Sequence, residues 1–453
     1  MTENIAKLVV PLPEDVLKLK NFGDFAGAEK LINFKLEKDI SEILKERLRL
    51  ELDILKVMKE NEYPYDLKQA VEVMKENLTS YDNGELEELK DQGLVDWMYI
   101  NGDVHFQRRF FLNLSSTDPK YKARLKQQEN NEERQNELND NVRLMKEKGS
   151  RKVKIRLRSS IKVKKNHERV GDFVRVHLPI PKDCQQVSEI KILRTTPEAT
   201  VIAPVDSAQR TVCFETKLES NQEFSVEYEY VNQVNYVELD PKKAEPVDIT
   251  SDLGEQDPHI RFTPFLKALE KEIIGTEQNP IKQARRIYDY VTTKVNYSYM
   301  REYCTIDNIS EYAAVNQKGD CGVQALLFIT LCRIAGIPSR WQSGLYVTKF
   351  YTGCHDWAQF YVAPYGWVFA DLSFGGSSYR SNNLERWNYY FGNLDIYRMP
   401  ANSEIQAPFT PEKKQFRADP VDNQRGEFEY VDEGMIYANL EVAQELISMQ
   451  ELD

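Results

Sequence analysis

Residues 316 to 341 read NQKGDCGVQALLFITLCRIAGIPSRW, and the run from Val323 to Ala335 is apolar at nearly every position. A helix that is hydrophobic all round belongs in the middle of a domain. Gly336 and Pro338 mark where it stops. Cys321 then falls in the first turn, where unpaired backbone N–H groups and the helix dipole favour an anion. That placement is expected to lower the thiol pKa and to present the sulfur at the helix mouth. Cys332 lies about 20° round and roughly 16 Å further along the same helix. Surrounded by core residues, it reads as an inert thiol.

A thiolate nucleophile needs a base, and the base needs orienting. The sequence has 5 histidines. His105 lies in a hairpin signature of the first region, His167 and His177 in an alternating β-rich stretch, and His259 in a loop. His355 opens HDWAQFYVAPYGWVFADLSFGG, which reads as two strands around a turn near Pro364 to Gly366. A tight turn there sets Asp371 opposite His355 to within a few residues of register, where it can accept the imidazole proton and fix the tautomer. Each residue alone is weak: a cysteine at a helix start is more often structural, and a lone strand histidine is usually a satisfied polar group. Cys321, His355 and Asp371 in that order form a pattern.

At 453 residues the protein is too long for one ordinary core. Residues 1–118 are expected to be mainly helical, with Asn101-Gly102 as the turn of one hairpin. Residues 119–149 are polar with few apolar positions and read as a helical linker bridging through solvent. From Val153 the pattern alternates, as in Phe224, Val226, Tyr228 and Tyr230, which predicts an all-β, sandwich-like domain over 150–245. A core over 250–405 contains the cysteine helix, and 406–453 is left as a C-terminal extension. The fold class expected is therefore α+β and multidomain.

The formal net charge of -12 argues against nucleic acid as the main partner. The N-terminus carries no signal-peptide pattern and the most apolar run is too short to span a bilayer, so no membrane partner and a cytoplasmic location are expected. With 6 cysteines in a protein this size, reduced thiols are expected rather than a disulfide framework. Cys304, Cys321, Cys332, Cys354 and His355 have no metal-ligand spacing, and no phosphate-loop or dinucleotide glycine pattern occurs, so no cofactor is implied. The oligomeric state is not legible.

GDCGVQALLFITLCRIAGIPSRWQSG followed by HDWAQFYVAPYGWVFADLSFG resembles the core of the transglutaminase-like superfamily of papain-fold cysteine enzymes. The shared pattern is Gly-x-Cys, an apolar helix ending in Gly-Ile-Pro-x-Arg, His-x-Trp, Gly-Trp and Asp-x-Ser, covering about residues 260 to 400. The resemblance implies Cys321 as nucleophile, His355 as base and Asp371 as orienting acid. It implies an oxyanion contact from the cysteine's own N–H and an upstream side chain, for which Gln317 is the candidate. Asp356 departs from the family's small or apolar residue after the histidine. Cys354, on a strand beside the base, is expected to face the other way.

The function expected is cysteine-dependent hydrolysis of an amide, peptide or isopeptide bond in a protein or peptide substrate, through a thioester. Transfer of the acyl group to an amine is the alternative on the same site. A binding or scaffolding protein on the same fold is the non-catalytic one.

Overall fold

The computed structural model describes residues 5–127, 132–246 and 249–452. The first region is helical, as its periodicity predicts. In Glu42–Val57 the positions Leu48, Leu50, Ile54 and Leu55 are buried. Asp66 forms a capping box with Gln69 at the start of Leu67–Asn77. Asn101 and Gly102 both take positive φ, 53° and 98°, between the strands Trp97–Ile100 and Asp103–Phe106. That is the backbone a two-residue hairpin turn requires.

The β-rich region is built from two four-stranded sheets. One holds Ser150–Val163, Phe224–Asn235 and Val187–Thr196, the other Phe173–Pro179, Thr211–Lys217 and Val201–Ile202. Alternation buries Val153, Ile155, Leu157, Val226, Tyr228 and Tyr230. Each sheet takes its fourth strand from the last stretch of the sequence. Leu440–Leu452 pairs antiparallel with Ser150–Val163, placing Leu446 opposite Leu157, and Glu427–Tyr430 pairs with Phe173–Pro179. The C-terminal extension is thus part of the sandwich, and the cysteine-helix core is inserted in sequence between sandwich strands.

The core carries a five-stranded antiparallel sheet in the order Phe391–Gly392, Gly366–Ala370, Thr352–Val362, Ser339–Val347, Arg398–Asn402. The helix Cys321–Ile334 lies on it, with Phe328 edge-on to Phe360 at 5.7 Å between ring centroids. Gly336, at φ 79°, ends the helix. Pro280–Lys294 flanks it, capped by Asn279 and burying the stripe Ile281, Ala284, Ile287, Tyr288 and Val291.

The polar stretch before the sandwich behaves differently from expectation. Residues 128–131 lie outside the described ones, but Glu132–Lys148 is a helix that buries Leu138, Val142 and Met145. Arg386 of the core donates to Gln135 Oε1 (2.6 Å) and Asn139 Oδ1 (3.1 Å) on it. A few well-placed apolar side chains and one buried arginine dock this helix on the core. Among the described residues no helix is long and apolar enough to cross a membrane.

Candidate active site

Asp320 caps the cysteine helix by accepting from Val323 N at 3.2 Å, and the Tyr303 hydroxyl donates to the same oxygen at 2.6 Å. Cys321 follows, 9% exposed, on the wall of a cavity of about 560 Å³. The Cys321 Sγ–H donates to Asp356 Oδ2 at 3.2 Å. Gln424, from the C-terminal stretch, donates to Asp356 Oδ1 at 2.5 Å and to the His355 carbonyl at 3.0 Å.

These neighbours reverse the expected electrostatics. Burial, followed by the charge of Asp356 and Asp320, pushes the Cys321 thiol well above its ordinary value. The helix N-terminus favours a thiolate, but two nearby carboxyls and poor solvation oppose it more strongly. Burial and the neighbouring Asp320 push Asp356 up to about 8. Near neutral pH the pair is therefore a thiol against a carboxylic acid.

His355 and Asp371 meet as the hairpin predicts. His355 Nε2 lies 2.8 Å from Asp371 Oδ2. Ala358 pairs with Ala370 in the register, which brings Asp371 within two residues of the position opposite His355. Burial holds the imidazole below its ordinary pKa, against the opposing pull of Asp371. In that neutral ring the proton shared with Asp371 sits on Nε2, leaving Nδ1 as the basic nitrogen. Phe374, Trp357 and Tyr346 surround the ring at centroid distances of 4.9, 6.0 and 6.3 Å.

Arg398 completes this group. Fully buried, it donates from Nη2 to Asp371 Oδ2 at 2.9 Å and to Asp395 Oδ2 at 2.6 Å. Burial pushes the Asp371 carboxyl up, and His355 with Arg398 outweigh it, so the group stays below the usual carboxylate range.

The two halves face different ways. Residues 352–362 pair regularly with Ser339–Val347, so successive side chains alternate across the sheet. Asp356 and Phe360 face the cysteine helix, and His355 and Trp357 face away from it. Among the described residues no hydrogen bond joins Cys321 to His355. The structure brings together Cys321 with Asp356 and His355 with Asp371, one residue apart on a single strand.

Gln317 stands away from both groups. It is exposed, left-handed at φ 49° as the C-cap of Ile309–Asn316, and its carbonyl accepts from Asn296 N at 2.8 Å. Its side chain faces Tyr290 rather than the cavity, so the oxyanion role expected of it has no support in its position. Cys354, expected to face away from the site, shares the face of Asp356 and lines the cavity, with burial raising its thiol to about 12. Cys332 is buried with a raised pKa. His259 is buried and accepts from Ile309 N at 3.4 Å, a structural role.

Sequence reasoning missed Arg398, Gln424 and the contact made by Asp356. Arg398 and Gln424 leave no local signal, because their partners lie far away in the sequence. Asp356 did leave one: it is an acid in phase with Ala358 and Phe360, the apolar face of its strand.

A buried helix with a cysteine in its first turn, laid on an antiparallel sheet that presents a bonded histidine and aspartate, defines a papain-like cysteine core. Residues 267–372 match the family model of the Transglutaminase-like superfamily, and the protein has a transglutaminase-like core over that stretch. An uncharacterised protein of Haemophilus influenzae is 26% identical over a match covering 25% of this protein and 37% of that one. The match thus spans little more than a third of that relative's length. A solved structure of a candidate cysteine protease from Cytophaga hutchinsonii is similar with a TM-score of 0.43 and 16% identity, covering 66% of this protein and 91% of that one. The periplasmic domain of TgpA from Pseudomonas aeruginosa is similar with a TM-score of 0.29 and 12% identity, covering 55% and 96%.

Proposed function

We propose that this protein is a cysteine-dependent hydrolase of amide, peptide or isopeptide bonds, with Cys321 as nucleophile and the His355–Asp371 pair as its acid–base partner. The observation that supports this most is the position of Cys321. Its sulfur stands at the mouth of a capped, buried helix, on the wall of a cavity, beside the strand that carries a histidine bonded to Asp371.

In this reading the sulfur attacks the carbonyl carbon as its proton passes to His355 Nδ1. The π electrons move to oxygen and are stabilised by backbone N–H groups at the helix start. Collapse expels the amine, which takes the proton from the imidazole. Water then cleaves the thioester and regenerates the thiol. An amine in place of water gives acyl transfer on the same site. The step that this reading requires of the protein is an exchange of partner, from Asp356 to His355.

The bond between Cys321 and Asp356 favours a second reading, a non-catalytic binding or scaffolding protein on the same fold. The two are separated by intact-mass analysis after a brief exposure to a peptide-like acyl electrophile, with Cys321→Ala beside the wild type. One adduct, on Cys321 and lost on His355→Ala, supports the hydrolase. An adduct unaffected by His355→Ala, or none, favours the binding protein.

A further inference from the structure

Arg108 and Arg109 stand side by side at the start of the helix Phe110–Thr117, and they are used differently. Arg108 Nη2 reaches Glu62 Oε1 at 3.5 Å and Glu302 Oε1 at 3.4 Å. Glu302 is gripped again by Arg425, through Nη1 at 3.3 Å and Nη2 at 2.9 Å. Arg109 has no ion-pairing carboxylate among the described residues. Its guanidinium lies over the Tyr299 ring, 5.5 Å from the centroid, and lines the same cavity as Cys321.

That position is built. Asn113, one turn further on, donates Nδ2 to the Tyr299 carbonyl at 3.0 Å and accepts from Tyr299 N at 2.8 Å. The two bonds clamp Tyr299, just beyond the short strand Asn296–Tyr297, to the helix whose entry carries Arg109. The first region thereby supplies one wall of the cavity, which sequence reading left without a role.

The carboxyls nearest Arg109 have closer partners, and it acts on Glu302, Asp320 and Glu62 only at longer range. Glu302 is matched by Arg108 and Arg425, and Arg301 faces Tyr63 and Asp96. Asp320 accepts from Tyr303 and from the helix start. Asp356 and Asp419 are pushed up, each chiefly by burial. A guanidinium that lines a cavity and makes no direct ion pair has hydrogen-bond donors left to hold an incoming anion. Its planar fork suits a carboxylate, which it holds through two parallel hydrogen bonds.

We infer that Arg109 recognises a carboxylate on the substrate, which is therefore an acidic peptide or a carboxylate-bearing amide. The inference deepens the hydrolase reading and rests on Cys321 being the reacting group. The carboxylate comes either from an acidic residue or from the C-terminus of a peptide, since both present the same group.

The test compares alkylation of Cys321 in the full-length protein by iodoacetate and by iodoacetamide, reagents of similar size that differ in charge. The expected ratio of the two rates is about 3-fold or more above that of glutathione, and it falls as salt rises. Arg109→Gln is expected to bring the ratio down to the glutathione value while the iodoacetamide rate holds, and Arg109→Lys to retain part of it. A wild-type ratio at or below that of glutathione, or one unchanged in Arg109→Gln, overturns the inference. So does a Cys321 that neither reagent reaches, because such a cavity admits no substrate carboxylate. Protection of Cys321 by N-acetylglutamate α-amide identifies the carboxylate of an acidic residue, and protection by N-acetylglutamine a C-terminal one. Protection by neither overturns the inference. Failure of the hydrolase reading shows separately, as an adduct from the acyl electrophile that survives His355→Ala.

Discussion

Cys321 Sγ and Asp356 Oδ2 lie 3.2 Å apart, and this contact, made by the residue next to His355, joins burial in keeping the sulfur protonated. Asp356→Asn removes a carboxyl that ionises at about pH 8 and, once charged, opposes loss of the thiol proton. The thiol pKa is expected to fall, and alkylation of Cys321 above about pH 8 to quicken on the order of tenfold for each unit of that fall, with little change at neutral pH. The rate of labelling at Cys321 across pH measures it. A rate that drops in the variant assigns Asp356 the opposite role, that of proton acceptor.

The same substitution has a stability signature. The folded-state pKa of Asp356 is about 8, against an ordinary carboxylate value of 3.8. Between those values the folded protein holds a proton that the unfolded one has released. The associated stability is full below the lower value and is lost as pH rises towards 8. Asp356→Asn removes this contribution, so its Tm is expected to fall less than that of the wild type between about pH 5 and pH 8. Asp422, pushed up to about 7 by burial and by Asp356, contributes to the fall in the same sense.

Arg398 is the counter-ion of two buried carboxylates, Asp371 and Asp395. Arg398→Met leaves both unpaired away from water and is expected to cost about 3–5 kcal/mol, read from urea unfolding. Arg398→Lys is expected to recover only part of this, because a single ammonium lacks the planar fork.

A residue that only orients a histidine can be replaced at little cost in stability, and Arg398 takes Asp371 out of that class. Asp371 Oδ2 accepts from both His355 and Arg398, so losing the charge in Asp371→Asn is expected to cost roughly 1–3 kcal/mol in urea unfolding. It also removes the largest influence that raises the His355 pKa, so the imidazole is expected to titrate lower still, followed by NMR.

Much of this was written locally in the sequence. The apolar run after Cys321, the Asn101-Gly102 turn and the spacing of His355 to Asp371 each depend on neighbours a few residues apart, and each stands where it was expected. The pairing of Leu440–Leu452 with Ser150–Val163 is different. Strands that meet across nearly 300 residues leave no periodic trace of each other. The side of the sheet that takes the helix was equally hidden. Without it, alternation tells that His355 and Asp356 differ in face, but not which of them meets Cys321. Glu132–Lys148 misled through composition, since three buried apolar residues and contacts from Arg386 suffice to dock it.

Cys332 serves as the control for Cys321 on the same helix. Cys332→Ala is expected to cost about 1–2 kcal/mol through lost packing and to leave alkylation at Cys321 unchanged. A thermal melt with the labelling rate of the variant checks both halves.

The insertion of the core between sandwich strands sets an order of events during synthesis. A nascent polypeptide that has emerged as far as Asn402 already holds the Cys321 helix and the His355–Asp371 hairpin. It does not yet hold Gln424, which grips Asp356, nor Arg425, Val442 and Gln444, which wall the cavity. The Cys321 sulfur is therefore translated before its enclosure, and the closing sandwich strands act as a timer that delays the finished cavity until translation has run past residue 444.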